Sequence, residues 1–100
     1  MKTLTDEECG FILTKKLDGQ GEIAIMRLAF TTALCCHISR HPMDMAYKYR
    51  YCYENYADCL RDFEEWDGIG HPNGDWIKQK GINGDISNPK LEKDYAEEPI

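Results

Sequence analysis

The sequence predicts a mainly α domain: a three-helix core with a central antiparallel helical hairpin, and an irregular C-terminal extension. Three observations lead there. Thr5 and Glu8 form a capping box at the start of the first segment. The span 22–39 contains no Gly or Pro and is apolar nearly all round, as a covered helix would be. Met45, Tyr49, Cys52, Tyr56, Cys59, Phe63 and Trp66 recur at alternating spacings of four and three, a seam along one helix face. The expected organisation is a helical core over 1–66 and a loop-rich extension with an acidic tail over 67–100.

The first helix begins at Thr5, with Leu4 and Cys9 at the staple positions and Asp6-Glu7-Glu8 at the positive end of the dipole. It runs to about Leu17, where Asp18-Gly19-Gln20-Gly21 stops it. The second runs from Glu22 to about Ser39, with Arg27 as its one interior charge, and ends before Pro42. The third runs from Met43 to Trp66, with Pro42 at its first position. A rival reading stays open here. Tyr47-Lys48-Tyr49-Arg50-Tyr51-Cys52-Tyr53 alternates with period two and is rich in strand formers. The seam is longer than this stretch and favours the helix.

Beyond Trp66 the composition changes. Asp67 to Gly74 is a glycine-rich loop, and Asn73-Gly74-Asp75 recurs ten positions later as Asn83-Gly84-Asp85. Asn-Gly is a tight-turn signal, so a small β-ribbon over 76–82 stands beside an irregular extension pinned by Trp76. The tail from Pro89 to Ile100 reads as a short helix or as an arm that orders on a partner.

Composition excludes several classes. The chain has 100 residues, 42% hydrophobic and 30% charged, which is globular rather than disordered. That length holds one modest core and no roomy cofactor pocket. A net charge of −6 counts against direct binding of duplex DNA. No apolar run approaches the roughly 20 residues of a membrane span. The N-terminus turns acidic at once, unlike a secretion signal, so the expected location is the cytoplasm with no membrane partner. Five cysteines, an odd number, fit reduced thiols used as small apolar side chains.

Chemistry-bearing patterns are sparse. Cys35, Cys36, His37 and His41 cluster, but without Cys-x-x-Cys or a second ligand pair, so no metal is expected. No phosphate-cradling loop, nucleophile elbow or zinc-protease helix is present. The expectation is a protein without catalytic residues or cofactor.

The candidate contacts lie on the outer face of the third helix. Glu54, Asp58 and Asp62 repeat every four residues and Glu65 continues the row. Such carboxylates would stand about 6 Å apart, near the phosphate spacing of a nucleic-acid strand. The ridge suits a basic, DNA-binding groove on another protein; an ordinary wet face is the plainer alternative. Tyr47, Arg50 and Tyr51 supply interface-type anchors, and five tyrosines fall between 47 and 56. The same residues with Lys48 would suit stacking of single-stranded bases. Trp76 and Pro72 complete the candidate surface, Pro72 in a loop that a prolyl isomerase could read.

The span Glu22–Trp66, the loop Gly68-Ile69-Gly70-His71-Pro72-Asn73-Gly74-Asp75-Trp76 and the tail Pro89–Ile100 together resemble, in format, a phage-encoded inhibitor of host nucleic-acid machinery. The chain looks most like the small anti-RecBCD proteins of lambdoid phages, with the anti-CRISPR proteins second. That resemblance implies a non-enzymatic protein that docks on a multisubunit nuclease-helicase in the host cytoplasm and alters its action on DNA ends. The reading from another class is a small zinc-binding or single-strand-binding module.

Overall fold

The computed structural model describes residues 2–81 and 84–90. It is mainly β. Six strands form one antiparallel sheet in chain order: β1 (Phe11–Leu17), β2 (Gly21–Arg27), β3 (Thr32–Cys36), β4 (Tyr49–Tyr53), β5 (Lys78–Gly81) and β6 (Gly84–Ser87). Among the described residues two helical elements accompany it, α1 (Asp6–Cys9) before β1 and α2 (Tyr56–Glu65) between β4 and β5. The mainly helical, three-helix expectation is therefore overturned, and with it the helical hairpin over 22–66.

Each departure has a local cause. The capping box forms as expected, with the Thr5 hydroxyl accepting from the Glu8 N–H and the Glu8 carboxylate accepting from the Thr5 N–H. The helix lasts a single turn because Gly10 takes a left-handed conformation at φ 84° and redirects the chain into β1. The apolar span after Glu22 is two strands joined by Leu28-Ala29-Phe30-Thr31. That connection has no Gly, Pro, Asn or Asp, so the usual turn chemistry is missing from the sequence. Phe30, expected inside a central helix, is 95% exposed at its tip. The period-two stretch becomes β4, and only the second half of the long seam, from Tyr56, is helical.

Consecutive apolar positions in β2 and β3 reflect cover on both sheet faces. On the first face Ile23, Ile25, Leu34, Cys36, Tyr51 and Tyr53 pack with Cys59 and Phe63 of α2 and with Trp66 and Trp76. On the second face the residues are small, and Ala24, Ala33 and Cys35 are fully buried. Here Arg40 ties the β3–β4 connection to Glu22 and Asp6, and the Leu4 N–H donates to the Arg40 carbonyl. Burying one Ile or Leu contributes about 1.5–3 kcal/mol. Helix propensity differences reach only about 0.7 kcal/mol per residue. Burial therefore decides the conformation.

The sheet also crosses the position where core was expected to give way to extension, since β4 pairs with β5 from Cys52↔Lys78 to Tyr49↔Gly81. A β-ribbon occupies the extension, with β5 inside the expected span 76–82 and β6 beyond it. The acidic tail beyond Lys90 lies outside the described residues. Among the described residues no helix is long and apolar enough to cross a membrane.

Candidate functional site

The connection from α2 to β5, residues 66–77, has no regular structure and is nonetheless heavily fixed. Trp76 is 1% exposed, and its indole N–H donates to the Pro72 carbonyl at 3.0 Å. Asn88, also buried, donates to the carbonyls of Gly74 (3.3 Å) and Trp76 (2.8 Å). The Lys90 ammonium donates to the Asn73 carbonyl. Trp66 donates from its indole to the Ile69 carbonyl at 3.2 Å, and Asp67 accepts from the Ile69 N–H at 2.9 Å. These bonds hold open a cavity of about 240 Å³ lined by Asp62, Glu65, Trp66, Asp67, Ile69, His71 and Asn73.

Asp62 forms the floor. It is 3% exposed and accepts from the Tyr53 hydroxyl at 2.5 Å. Burial pushes its carboxyl above the ordinary value of 3.8, against the pull of the Tyr53 hydroxyl, the Gly74 N–H and the Lys90 charge. Burial and the Asp62 contact raise the Tyr53 phenol in turn. Gly74 is required by this approach, because a Cβ there would overlap the Asp62 carboxylate. Next to it, Tyr51 stands edge-on to Trp66 and Trp76, with centroids 5.5 and 4.8 Å away. Its hydroxyl accepts from Gln79 at 3.2 Å and lies 2.8 Å from His71 Nδ1. Which of the hydroxyl and Nδ1 donates is set by the imidazole tautomer.

The electrostatics favour a cation. Glu64 and Glu65 end α2, whose last turn contains no basic residue. Carboxylates at the negative end of a helix dipole cost about 0.3–1 kcal/mol each. Lys15, reaching from β1, donates to the carbonyls of Phe63 and Glu64 and satisfies part of that helix end. Among the described residues no Lys or Arg lines the cavity. Its carboxylate oxygens suit an ammonium or guanidinium group.

The structure distributes the expected contact residues widely. Glu54 is exposed just after β4, and Asn55, not part of the expected ridge, caps α2 by accepting from the Asp58 N–H at 2.9 Å. Asp58 is half-buried in the first turn, Asp62 points inward, and Glu65 is exposed at the far end. The four do not form one outward ridge. Tyr51, Pro72 and Trp76 are buried. Arg50 and Tyr51 are neighbours in β4 and so face opposite sides of the sheet, with Tyr47 beside Arg50. Asp67, His71 and Asn73 line the recess but are not among the expected contact residues; the density of Gly, Asn, Asp and Trp in their loop is the signal for them.

The cysteine cluster is dispersed as well. Cys35 and Cys36 occupy opposite sheet faces, the His37 ring meets Tyr49, and His41 Nδ1 accepts from the Met43 N–H. Among the described residues no group of three or more His, Cys, Asp or Glu converges as a metal site. All five cysteines are free thiols. Burial pushes Cys35 and Cys59 up to about 12, which keeps them protonated and poorly nucleophilic at neutral pH.

The fold and the cavity define an antiparallel β domain with one covering helix and an acidic recess at that helix's C-terminus. Comparison of the chain with known protein families, with curated proteins and with solved structures returns no match.

Proposed function

We propose that this chain is a non-enzymatic interaction protein whose acidic recess receives a lysine or arginine from a partner's basic surface. The proposed partner is a multisubunit DNA-processing complex, engaged at the groove that otherwise holds DNA. The observation carrying this reading is the convergence of Asp62, Glu65 and Asp67 on one preformed cavity whose lining, among the described residues, includes no Lys or Arg. Rigid loop bonds on every side reduce the ordering cost of binding. The carboxylates steer a basic surface towards the recess.

The test is affinity capture of a bacterial DNA-processing complex on immobilised protein, followed by elution with duplex DNA ends. Retention that duplex DNA competes away, and that weakens as salt rises, supports the reading. The variant Glu65→Lys should lose the complex, since the position is exposed and Glu65 makes none of the bonds that fix the loop. Retention by that variant at the level of the parent protein sinks the proposal.

A further inference from the structure

The second sheet face carries a site of the opposite sign. A cleft of about 210 Å³ is lined by Met45, Tyr47, Lys48, Arg50, Lys80 and Gly81. Arg50 and Lys80 are cross-strand partners in β4 and β5, and so share this face. Lys78 lies two residues from Lys80 on the same face. Asp85 of β6, opposite Lys80, is the one carboxylate in that row, and no ion pair joins the two.

Arg50 is held in place but not neutralised. One terminal nitrogen donates to the Tyr47 hydroxyl, and the guanidinium lies 5.8 Å from the Tyr47 ring centroid. Its Nε is buried and has no hydrogen-bond partner among the described residues. Arg40 shows what a satisfied arginine looks like in the same protein, with Glu22 at 2.7 Å and Asp6 at 2.6 Å. Among the described residues Lys48, Arg50 and Lys80 take part in no ion pair. A partly desolvated, positioned guanidinium without a counter-ion, flanked by two ammonium groups in a concave site, is built for an anion.

We infer that this cleft binds the phosphate backbone of a single-stranded nucleic acid. The cations form a row across two strands, which suits successive phosphates better than one isolated anion. Tyr47 is half-buried and Met45 is 68% exposed beside that row, where they offer an apolar surface to a base. The cleft is too small to admit a duplex. It lies on the opposite sheet face from the acidic recess, so the two sites do not compete for one ligand.

The test is fluorescence anisotropy with a labelled oligothymidylate at low salt, with thymidine monophosphate as competitor. The strand should bind, and log affinity should fall with log salt at about −0.7 per phosphate contacted. Lys48→Glu/Lys80→Glu changes two exposed side chains and should weaken binding about tenfold or more. Glu65→Lys, in the other site, should not weaken it, which separates this inference from the proposed protein contact. No anisotropy change with the parent protein, or equal binding by the double variant, overturns the inference. A monophosphate that binds as tightly as the strand overturns the strand as the ligand.

Discussion

The acidic recess and the basic cleft are built from the same stretch of sheet and differ in how their charges are supported. On the helix side a carboxylate is buried on a prepared set of donors: Asp62 has the Tyr53 hydroxyl at 2.5 Å and the Gly74 N–H. On the other side Arg50 has a hydroxyl and an aromatic ring but no carboxylate. The first arrangement spends structure, in the form of two tryptophans and a loop tied at both ends. The second spends almost none and leaves a charge available. A protein of net charge −6 can therefore present a positive site, because charge is partitioned by sheet face.

The comparison breaks most sharply at Trp76. Trp76→Ala removes a fully buried indole and its bond to Pro72, and should cost about 3–5 kcal/mol in urea unfolding. It should abolish the acidic recess. Tyr53→Phe is the next largest. It leaves the buried Asp62 carboxylate without its hydroxyl donor and should cost about 1–3 kcal/mol at neutral pH. The cost should shrink in acid as Asp62 takes up a proton, and a cost independent of pH would show that the two groups are not coupled. The arginines come third. Arg40→Met breaks a partly buried pair with Glu22 and should cost about 1 kcal/mol. Arg50→Met removes an arginine with no carboxylate partner and should stay within about 0.5 kcal/mol. Equal losses at the two positions would erase the distinction between them.

The smallest expected effect is on the pH profile of thermal unfolding. Asp62 is raised in the fold, so the native state holds its proton more tightly. Its contribution is therefore present at low pH and is lost as pH rises from 3.8 through its folded value. Glu22 is lowered, chiefly by its bond to Arg40. Its contribution is present above 4.5 and is lost as pH falls through its folded value. Asp62→Asn should flatten the first slope and Glu22→Gln the second. A profile unchanged by either substitution would remove the titration argument from both sites.

Much of the local chemistry was legible in the chain. The capping box at Thr5 and Glu8, the second half of the seam from Tyr56 and the turn residues after Trp66 correspond to structure, while the alternation set aside in favour of a helix is the strand Tyr49–Tyr53. The candidate site was legible only in part. Asp62 and Glu65 line the recess and Tyr47 and Arg50 the cleft, yet the four carboxylates form no single ridge and Tyr51 lies on the opposite sheet face from Arg50. A spacing of four places residues on one face only if the chain is helical, and Glu54 lies before the helix begins.

What the sequence by itself determined is therefore local: where turns of chain start and stop, which residues are apolar, and which charges are available. What only the tertiary structure decided is the state of the apolar segments and the grouping of the charges. Ile23-Ala24-Ile25-Met26 and Ala33-Leu34-Cys35-Cys36 are compatible with a covered helix or with strands covered on both faces. Pairing with β1 and β4, with cover from α2 on one face, selects the strands. Lys80 reaches Arg50 only through that pairing, thirty positions away in the chain. Burial and cross-strand register are properties of distant partners, and a periodicity read along one segment does not contain them.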